Sequence, residues 1–361
     1  MFKPLSAFLI AALLCSSVSA QPPARKFDDP GAPPFKVLKT GANPPLDAYD
    51  NFVIGPEYVP APERKAVEGV TAGKVLQLVI DSKETKLLNP GIARKEFGKP
   101  DPKNPKTLIV ETHDMDYTRA ITVYIPAQYK PGTEAPFMVV HDGPGPNRTP
   151  NLGMRTILDN LIAQKRIPPI VVIAIANGGG DAQGHERGKE YDTMSGAYAE
   201  YIESEVLPRV EKHCGVKLTK EPDGRAAMGN SSGGSAALAM AWFRPDLYRR
   251  VLSFSGTFTS QGKTTAYPIG AAAYPDHLVA MTPMKPIRMW LEAAQNDAGA
   301  SNPDPTRNWL TANREMAAAL KMQGYHYHFD YALGAMHNDP NVWDQTLPAA
   351  LEWLWRGYPL D

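Results

Sequence analysis

Gly229-Asn230-Ser231-Ser232-Gly233 is the stretch of this 361-residue chain whose residue types and spacing most strongly suggest chemistry. The serine has a glycine two places away on each side. A strand candidate over 225–228 precedes it, and an Ala-rich helix candidate over 235–242 follows. That context describes a strand–turn–helix corner too tight for a Cβ at the flanking positions. Such a corner lifts its serine to the carboxyl edge of a sheet and to a helix N-terminus, where backbone N–H groups stabilise a negative oxygen. Ser232 competes for the role, but its window, Asn230-x-Ser232-x-Gly234, lacks the first glycine. Ser231 is therefore the candidate nucleophile.

A serine nucleophile needs a base and an acid, and in sites built on this corner they follow in the order Asp or Glu, then His. Of the eight histidines, His277, His326, His328 and His337 follow Ser231. His337 lies in Leu333-Gly334-Ala335-Met336-His337-Asn338-Asp339-Pro340, a turn-rich loop after a strand, from which an imidazole can reach over the serine. His326 and His328 share one face of the alternating run Tyr325-His326-Tyr327-His328-Phe329-Asp330-Tyr331. No Cys or carboxylate pattern with ligand spacing accompanies them, so they read as ordinary strand histidines and no metal is expected. The acid follows the preceding strand, over 286–292. Asp297 falls past its end, where a carboxylate can take the imidazole N–H and fix its tautomer; Glu292 is the alternative, still within the strand. Ser231, Asp297 and His337 are thus the expected catalytic set.

The oxyanion of an attacked carbonyl would rest on the Ser232 N–H and on a second backbone donor after an earlier strand. Phe137-Met138-Val139-Val140-His141-Asp142-Gly143-Pro144-Gly145 ends in the required glycine-rich turn. Pro144 has no N–H, so Gly143 or a neighbour is the candidate. Two further stretches read as pocket walls. The loop over 177–192 is polar and Gly-rich, and its Arg187 could hold a carboxylate or sugar hydroxyls, or simply pair with Glu190. The loop over 258–285 is too long for a turn and carries Tyr267, Tyr274 and His277, the last a candidate substrate contact.

The elements that must position these residues alternate along the chain. Strand signals fall at 74–80, 106–111, 117–125, 137–140, 169–175, 225–228, 251–254, 287–292 and 325–331, with helical stretches between most of the later ones. That alternation predicts a mostly parallel central sheet with helices on both faces. The spacing of Ala199, Ile202, Val206 and Val210 predicts a helix over 195–214, kinked by Pro208 and ended by Gly215. No internal repeat is visible.

Three divisions are expected. Residues 1–20 have a lysine at position 3, a short apolar run and Val18-Ser19-Ala20 before Gln21, the pattern of a cleaved export signal too short to span a bilayer. Residues 21–64 are rich in proline and glycine and read as an arm, with Phe52-Val53-Ile54-Gly55 as an isolated strand. Residues 65–361 form the catalytic domain. Removing the signal takes one of the 38 basic residues and leaves 37 against 38 acidic, so neither nucleic acid nor an anionic membrane is indicated. Only Cys214 then remains, which excludes an internal disulfide.

Gly229-Asn230-Ser231-Ser232-Gly233-Gly234, the Asn296-Asp297 pair, Asn308-Trp309 with the 315–321 helix, the tail from His337 through Trp355, and Arg187-Gly188-Lys189-Glu190-Tyr191-Asp192 resemble the enterochelin-esterase-like esterase family. That family is related to the feruloyl and acetylxylan esterases and to esterase D. The resemblance runs from Tyr117 to the C-terminus. It implies an α/β-hydrolase fold and a Ser231–Asp297–His337 triad. Ser232 stands where relatives often carry a bulkier residue. The implied protein is a periplasmic or secreted serine esterase that needs no cofactor and acts on a small-molecule, siderophore or carbohydrate ester. An acyltransferase with the same triad and a non-catalytic periplasmic binding protein on the same fold are the alternatives.

Overall fold

The computed structural model describes residues 35–96, 98–102, 104–143, 154–181 and 183–361. The expected export signal, the start of the arm, and Pro144 and Gly145 lie outside the described residues. The described chain begins with β1 (Lys36–Val37), β2 (Asn51–Ile54) and β3 (Lys74–Asp81). An insertion follows with β4 (Gly91–Arg94), β5 (Lys99–Asp101), β6 (Asn104–Ile109) and β7 (Thr112–Met115). Next come β8 (Thr118–Ile125), β9 (Glu134–Ala135), β10 (Phe137–His141), α1 (Met154–Ala163) and β11 (Val171–Ile175). The helices α2 (Glu186–Tyr191), α3 (Ala197–Tyr201) and α4 (Leu207–Cys214) precede β12 (Lys217–Leu218), β13 (Arg225–Asn230) and α5 (Ser232–Phe243). The chain closes with β14 (Arg250–Phe254), β15 (Arg288–Asn296), α6 (Trp309–Met322), β16 (His326–Met336) and α7 (Pro340–Trp355).

Ten strands form one sheet in the order β1-β2-β16-β15-β14-β13-β10-β11-β8-β3. All neighbours from β1 to β11 are parallel, and β8 and β3 add an antiparallel edge. Side chains alternate across the pleat, so both faces of the central strands are apolar, as strands covered on both sides require. Phe137 and Val139 enter one core and Met138 and Val140 the other. Residues of α3 to α6 pack into the first core, and those of α1 and α7 into the second. The mostly parallel sheet with helices on both faces is therefore as the sequence alternation predicts.

Strands β13, β15 and β16 run past their expected ends, and α5 begins at Ser232, so Ser231 sits directly between β13 and α5. The predicted helix over 195–214 is three consecutive segments, with a π-helical stretch at Ile202–Val206 between α3 and α4. Pro208 explains the wider turn, because its ring displaces the carbonyl four residues back and it has no N–H to offer. Gly215 ends α4 in the left-handed region at φ 65°.

The reading of 52–55 as an isolated strand is corrected. β2 pairs with β16 in parallel, Phe52 opposite Asp330 and Ile54 opposite Ala332, and both apolar side chains are buried. The described part of the arm is thus continuous with the main sheet. The apolar pair Phe52 and Ile54 gives too short a signal to be read as a covered strand without its partner.

Candidate active site

The parallel strands all point their carboxyl ends to one edge, and the candidate residues gather there. Ser231 follows β13 with φ 51° and ψ −126°, a conformation in which an L residue is strained and which surrounding contacts must hold. They do. Its N–H donates to the Phe254 carbonyl at 2.9 Å, and its carbonyl accepts from Gly234 at 2.9 Å and from Thr257 at 3.1 Å. A Cβ on Gly229 would come within 2.4 Å of the Gly233 backbone, which is the physical reason for the first glycine of the motif. Ser231 is half-buried, whereas Ser232 is buried, at the first position of α5, with its hydroxyl turned to Asp192. The Ser232 N–H lies ahead of any intrahelical acceptor, which leaves it available to an anion.

Asp297 is the first residue past β15. Its Oδ1 accepts from the Ala298 N–H at 2.7 Å and from His337 Nδ1. Its Oδ2 accepts from the Ser255 hydroxyl at 2.7 Å and the Ala294 N–H at 3.0 Å. Four hydrogen bonds ending on its oxygens match an acceptor-only, ionised carboxylate. The His337 proton therefore belongs on Nδ1, which leaves Nε2 as the basic atom. Glu292, the alternative acid, lies inside β15 and is buried. Burial, then the nearby charges of Asp297, Asp330 and Asp339, push its carboxyl well above the usual range.

A polar chain links the serine to this pair. Thr257 Oγ1 is 3.3 Å from Ser231 Oγ and accepts from Trp309 Nε1 at 3.0 Å, and the Trp309 ring meets the His337 ring edge-on at 6.2 Å. Because Thr257 accepts from Trp309, its own hydrogen can go to Ser231 Oγ, leaving the serine hydrogen for the imidazole. Thr257 and Ser255 follow β14, whose loop gave no motif in the sequence. Trp309 belonged to the family resemblance but had no assigned role.

Two site expectations are corrected, those for Gly143 and Arg187. The Gly143 N–H donates to the Ile175 carbonyl at 3.1 Å, and the Asp142 N–H to the Tyr191 hydroxyl at 3.1 Å, so neither is free to face an oxyanion. A second donor from this loop would have to come from beyond Gly143, outside the described residues. Arg187 clamps Asp142, with Nε to Oδ1 at 2.9 Å and Nη2 to Oδ2 at 2.7 Å, while Nη1 donates to the Asp181 carbonyl at 2.7 Å. Both partners are largely buried, so Arg187 supports the β10 loop and does not face a substrate. Glu190, its expected alternative partner, instead pairs with the fully buried Arg119. His277 lies on a short π-helix, Tyr274–Val279, that packs along α6. Among the described residues no hydrogen bond links it to the triad candidates.

His328 and His326 are neighbours on β16 that differ in burial. His328 is fully buried, stacked on Trp290 at 3.7 Å and on Phe52 at 4.9 Å, with Nε2 2.8 Å from Asp330. His326, two residues earlier at the amino end of β16, is half-buried and meets the Tyr49 ring at 3.7 Å and the Trp353 ring at 5.3 Å.

Comparison with known proteins bears on the family and the fold. The family model described as "Putative esterase" matches residues 112–354. No curated protein sequence matches the chain. A solved ferulic acid esterase shares the fold with a TM-score of 0.55 at 17% identity, covering 79% of this chain and 99% of its own. A ferulic acid esterase of the anaerobic fungus Anaeromyces mucronatus gives 0.54 at 13% identity, covering 83% and 96%. The enterochelin esterase of Shigella flexneri gives 0.50 at 21% identity, covering 66% of this chain and 55% of that one. The fold is that of the α/β-hydrolase esterases, and the chain belongs to the esterase family whose model it matches.

Proposed function

We propose that this esterase is a serine carboxylic-ester hydrolase that works through an acyl-enzyme on Ser231. Ser231 Oγ attacks the ester carbonyl carbon while His337 Nε2 takes its proton, and Asp297 holds the imidazole and stabilises its charged form. The Ser232 N–H faces the developing oxyanion. Collapse breaks the ester C–O bond, and the proton on His337 passes to the leaving alkoxide. Water then attacks the acyl carbon, giving a proton to His337, and the acid leaves as that proton returns to Ser231. The observation that supports this most is the Asp297–His337 hydrogen bond at the same sheet edge as the strained Ser231.

A fluorophosphonate probe tests the reading. It should label the purified protein once, on Ser231, and Ser231→Ala and His337→Ala should each lower kcat by about 10⁴-fold or more with the fold intact. Labelling on Ser232, or full activity in Ser231→Ala, would overturn it. The substrate we infer is a small-molecule or carbohydrate ester, since the solved relatives include ferulic acid and enterochelin esterases. Parallel assays of aryl, acetyl, feruloyl and siderophore esters discriminate among these. We also read residues 1–20 as an export signal; a mature protein recovered outside the cytoplasm without a new N-terminus at Gln21 would contradict it.

A further inference from the structure

At the amino ends of the strands, opposite the catalytic edge, Arg250 of β14, Arg288 of β15 and His326 of β16 stand in one register row. Paired residues of parallel strands point to the same face. Two residues further on, Leu252 and Trp290 enter the core that α1 and α7 cover, so the row lies at the rim of that core. With Arg249, Lys285 and Asp223, these side chains line a groove of about 300 Å³. Asp223 is its one acid. That carboxylate is 62% exposed and pairs with Arg249 at 3.1 Å. Among the described residues no carboxylate forms an ion pair with Arg250, Arg288 or Lys285.

Part of this arrangement is structural. Arg250 Nη1 donates to the Leu354 carbonyl, and Arg288 Nη1 to the carbonyls of Trp353 at 2.9 Å and Arg356 at 2.7 Å. These bonds close the end of α7, whose last carbonyls have no partner within the helix. Arg250 Nε also donates to the Asp223 carbonyl at 2.6 Å, and the guanidiniums lie over the rings of Trp355 and Tyr358 (Arg250) and Trp353 (Arg288). Carbonyls and ring faces carry no net charge, and among the described residues neither guanidinium has a carboxylate in direct contact. Among the described residues Nη2 of both arginines and Nε of Arg288 donate to no protein atom. The field they create is felt locally. Burial, and then Arg288, lower Arg250 to about 10. Burial, and then the charges of Arg288, Arg250 and Arg356, lower His326 to about 4. Cations gathered at this density, with donors left over, are arranged as an anion would need them.

We propose that this groove binds a multiply charged oxyanion of the phosphate or sulfate type, held by Arg250, Arg288 and His326, with Arg249 and Lys285 at its rim. Planar guanidiniums present paired N–H groups that fit two oxygens of one tetrahedral anion. β15 spans nine residues from Arg288 to Asn296. At ~3.3 Å per residue the groove is therefore ~30 Å from the catalytic edge. The proposal is independent of the esterase chemistry.

The test uses the full-length wild-type protein, titrated with inorganic phosphate or sulfate against chloride at equal ionic strength. His326 is the reporter, followed by NMR of its ring. A bound dianion should raise its pKa by one unit or more, saturably, and raise the unfolding midpoint. Arg288→Gln should weaken binding about 10-fold. Because Arg288 also closes α7, Lys285→Gln is the second variant. Among the described residues the Lys285 ammonium holds no backbone carbonyl and has only the Trp242 ring, 5.2 Å away, as a structural contact, so this variant should weaken binding with little change in the unfolding midpoint. Vesicles containing phosphatidylglycerol, set against phosphatidylcholine, separate a lipid headgroup from a free anion. Capture only by the anionic vesicles would place the same chemistry on a lipid. An unmoved His326 titration with no vesicle binding, or phosphate binding unchanged in both variants, would overturn the site.

Discussion

Thr257 joins two halves of the site that sequence spacing treats separately. Its hydroxyl accepts from Trp309 and lies beside Ser231 Oγ. Thr257→Val keeps the shape, removes the acceptor and leaves the Trp309 N–H without its partner, at a cost of about 1–3 kcal/mol. We expect kcat to fall about tenfold, the rate equivalent of ~1.4 kcal/mol, with KM little changed. Steady-state kinetics alongside urea unfolding check this; lost stability with unchanged kcat would reduce Thr257 to packing. At this scale the sequence was legible where backbone sterics constrain residue type. Gly229 is written into the motif because a side chain there would strike Gly233. Asp297 could be told from Glu292 because strand length separates a loop carboxylate from a buried one. Arg187 misled because its partner, Asp142, lies 45 residues away and no local pattern announces it.

The short helix α2 braces the catalytic edge from one side. Arg187 and the Tyr191 hydroxyl hold Asp142, Glu186 accepts from the Ile92 N–H of the insertion, and Asp192, just past the helix, accepts from Ser232. Asn177 Nδ2 adds a bond to Asp142 Oδ1 at 2.7 Å. Asp142 itself has φ 60°, so the turn after β10 depends on these contacts. Arg187→Gln strips a largely buried carboxylate of its cation, and breaking such a pair typically costs about 3–5 kcal/mol. Chemical denaturation should show that loss, and kcat should fall along with it. Unchanged stability would mean that Asn177 and Tyr191 suffice. Asp192 gives a second, pH-dependent expectation. Burial pushes its carboxyl up to about 6, against an unfolded value of ~3.9. The folded state then holds the proton more tightly, so this group costs nothing below pH ~4, and its cost grows as pH rises and is complete above ~6. Asp192→Asn keeps an acceptor for Ser232 and removes the titration. Its stability relative to wild type should improve by up to about 3 kcal/mol from pH 4 to pH 8. A difference that stays flat across that range would show that Asp192 does not titrate there.

At the scale of the molecule, one set of parallel strands separates two clusters, with the candidate nucleophile, base and acid at the carboxyl ends and a group of cations at the amino ends. The overall count of 38 basic and 38 acidic residues conceals that polarity, because it depends on which strand ends fall side by side. Alternation of strand and helix signals was enough to read the parallel sheet. It could not reveal where the sheet ends, since β2 is recruited from a segment whose composition reads as an arm. That placement sets a boundary that truncation can test. Phe52 and Ile54 are buried, Tyr58 donates to the Leu333 carbonyl at 2.8 Å, and the Ala61 N–H donates to the Asp344 carbonyl at 2.8 Å. Asn160 Nδ2 in turn donates to the Glu63 and Lys65 carbonyls at 2.8 Å. Each buried apolar side chain contributes about 1.5–3 kcal/mol. Together with the lost pairing to β16, deletion through Arg64 removes much of a typical total stability of about 5–15 kcal/mol. A chain starting at Phe35 should fold and turn over like the longer protein, whereas one starting at Lys65 should be insoluble or unfold many degrees lower. Because β16 leads directly into His337, any soluble fraction of the shorter chain should also lose kcat. Comparable melting temperature and activity in the two truncations would show that β2 is dispensable and that the catalytic domain begins after it.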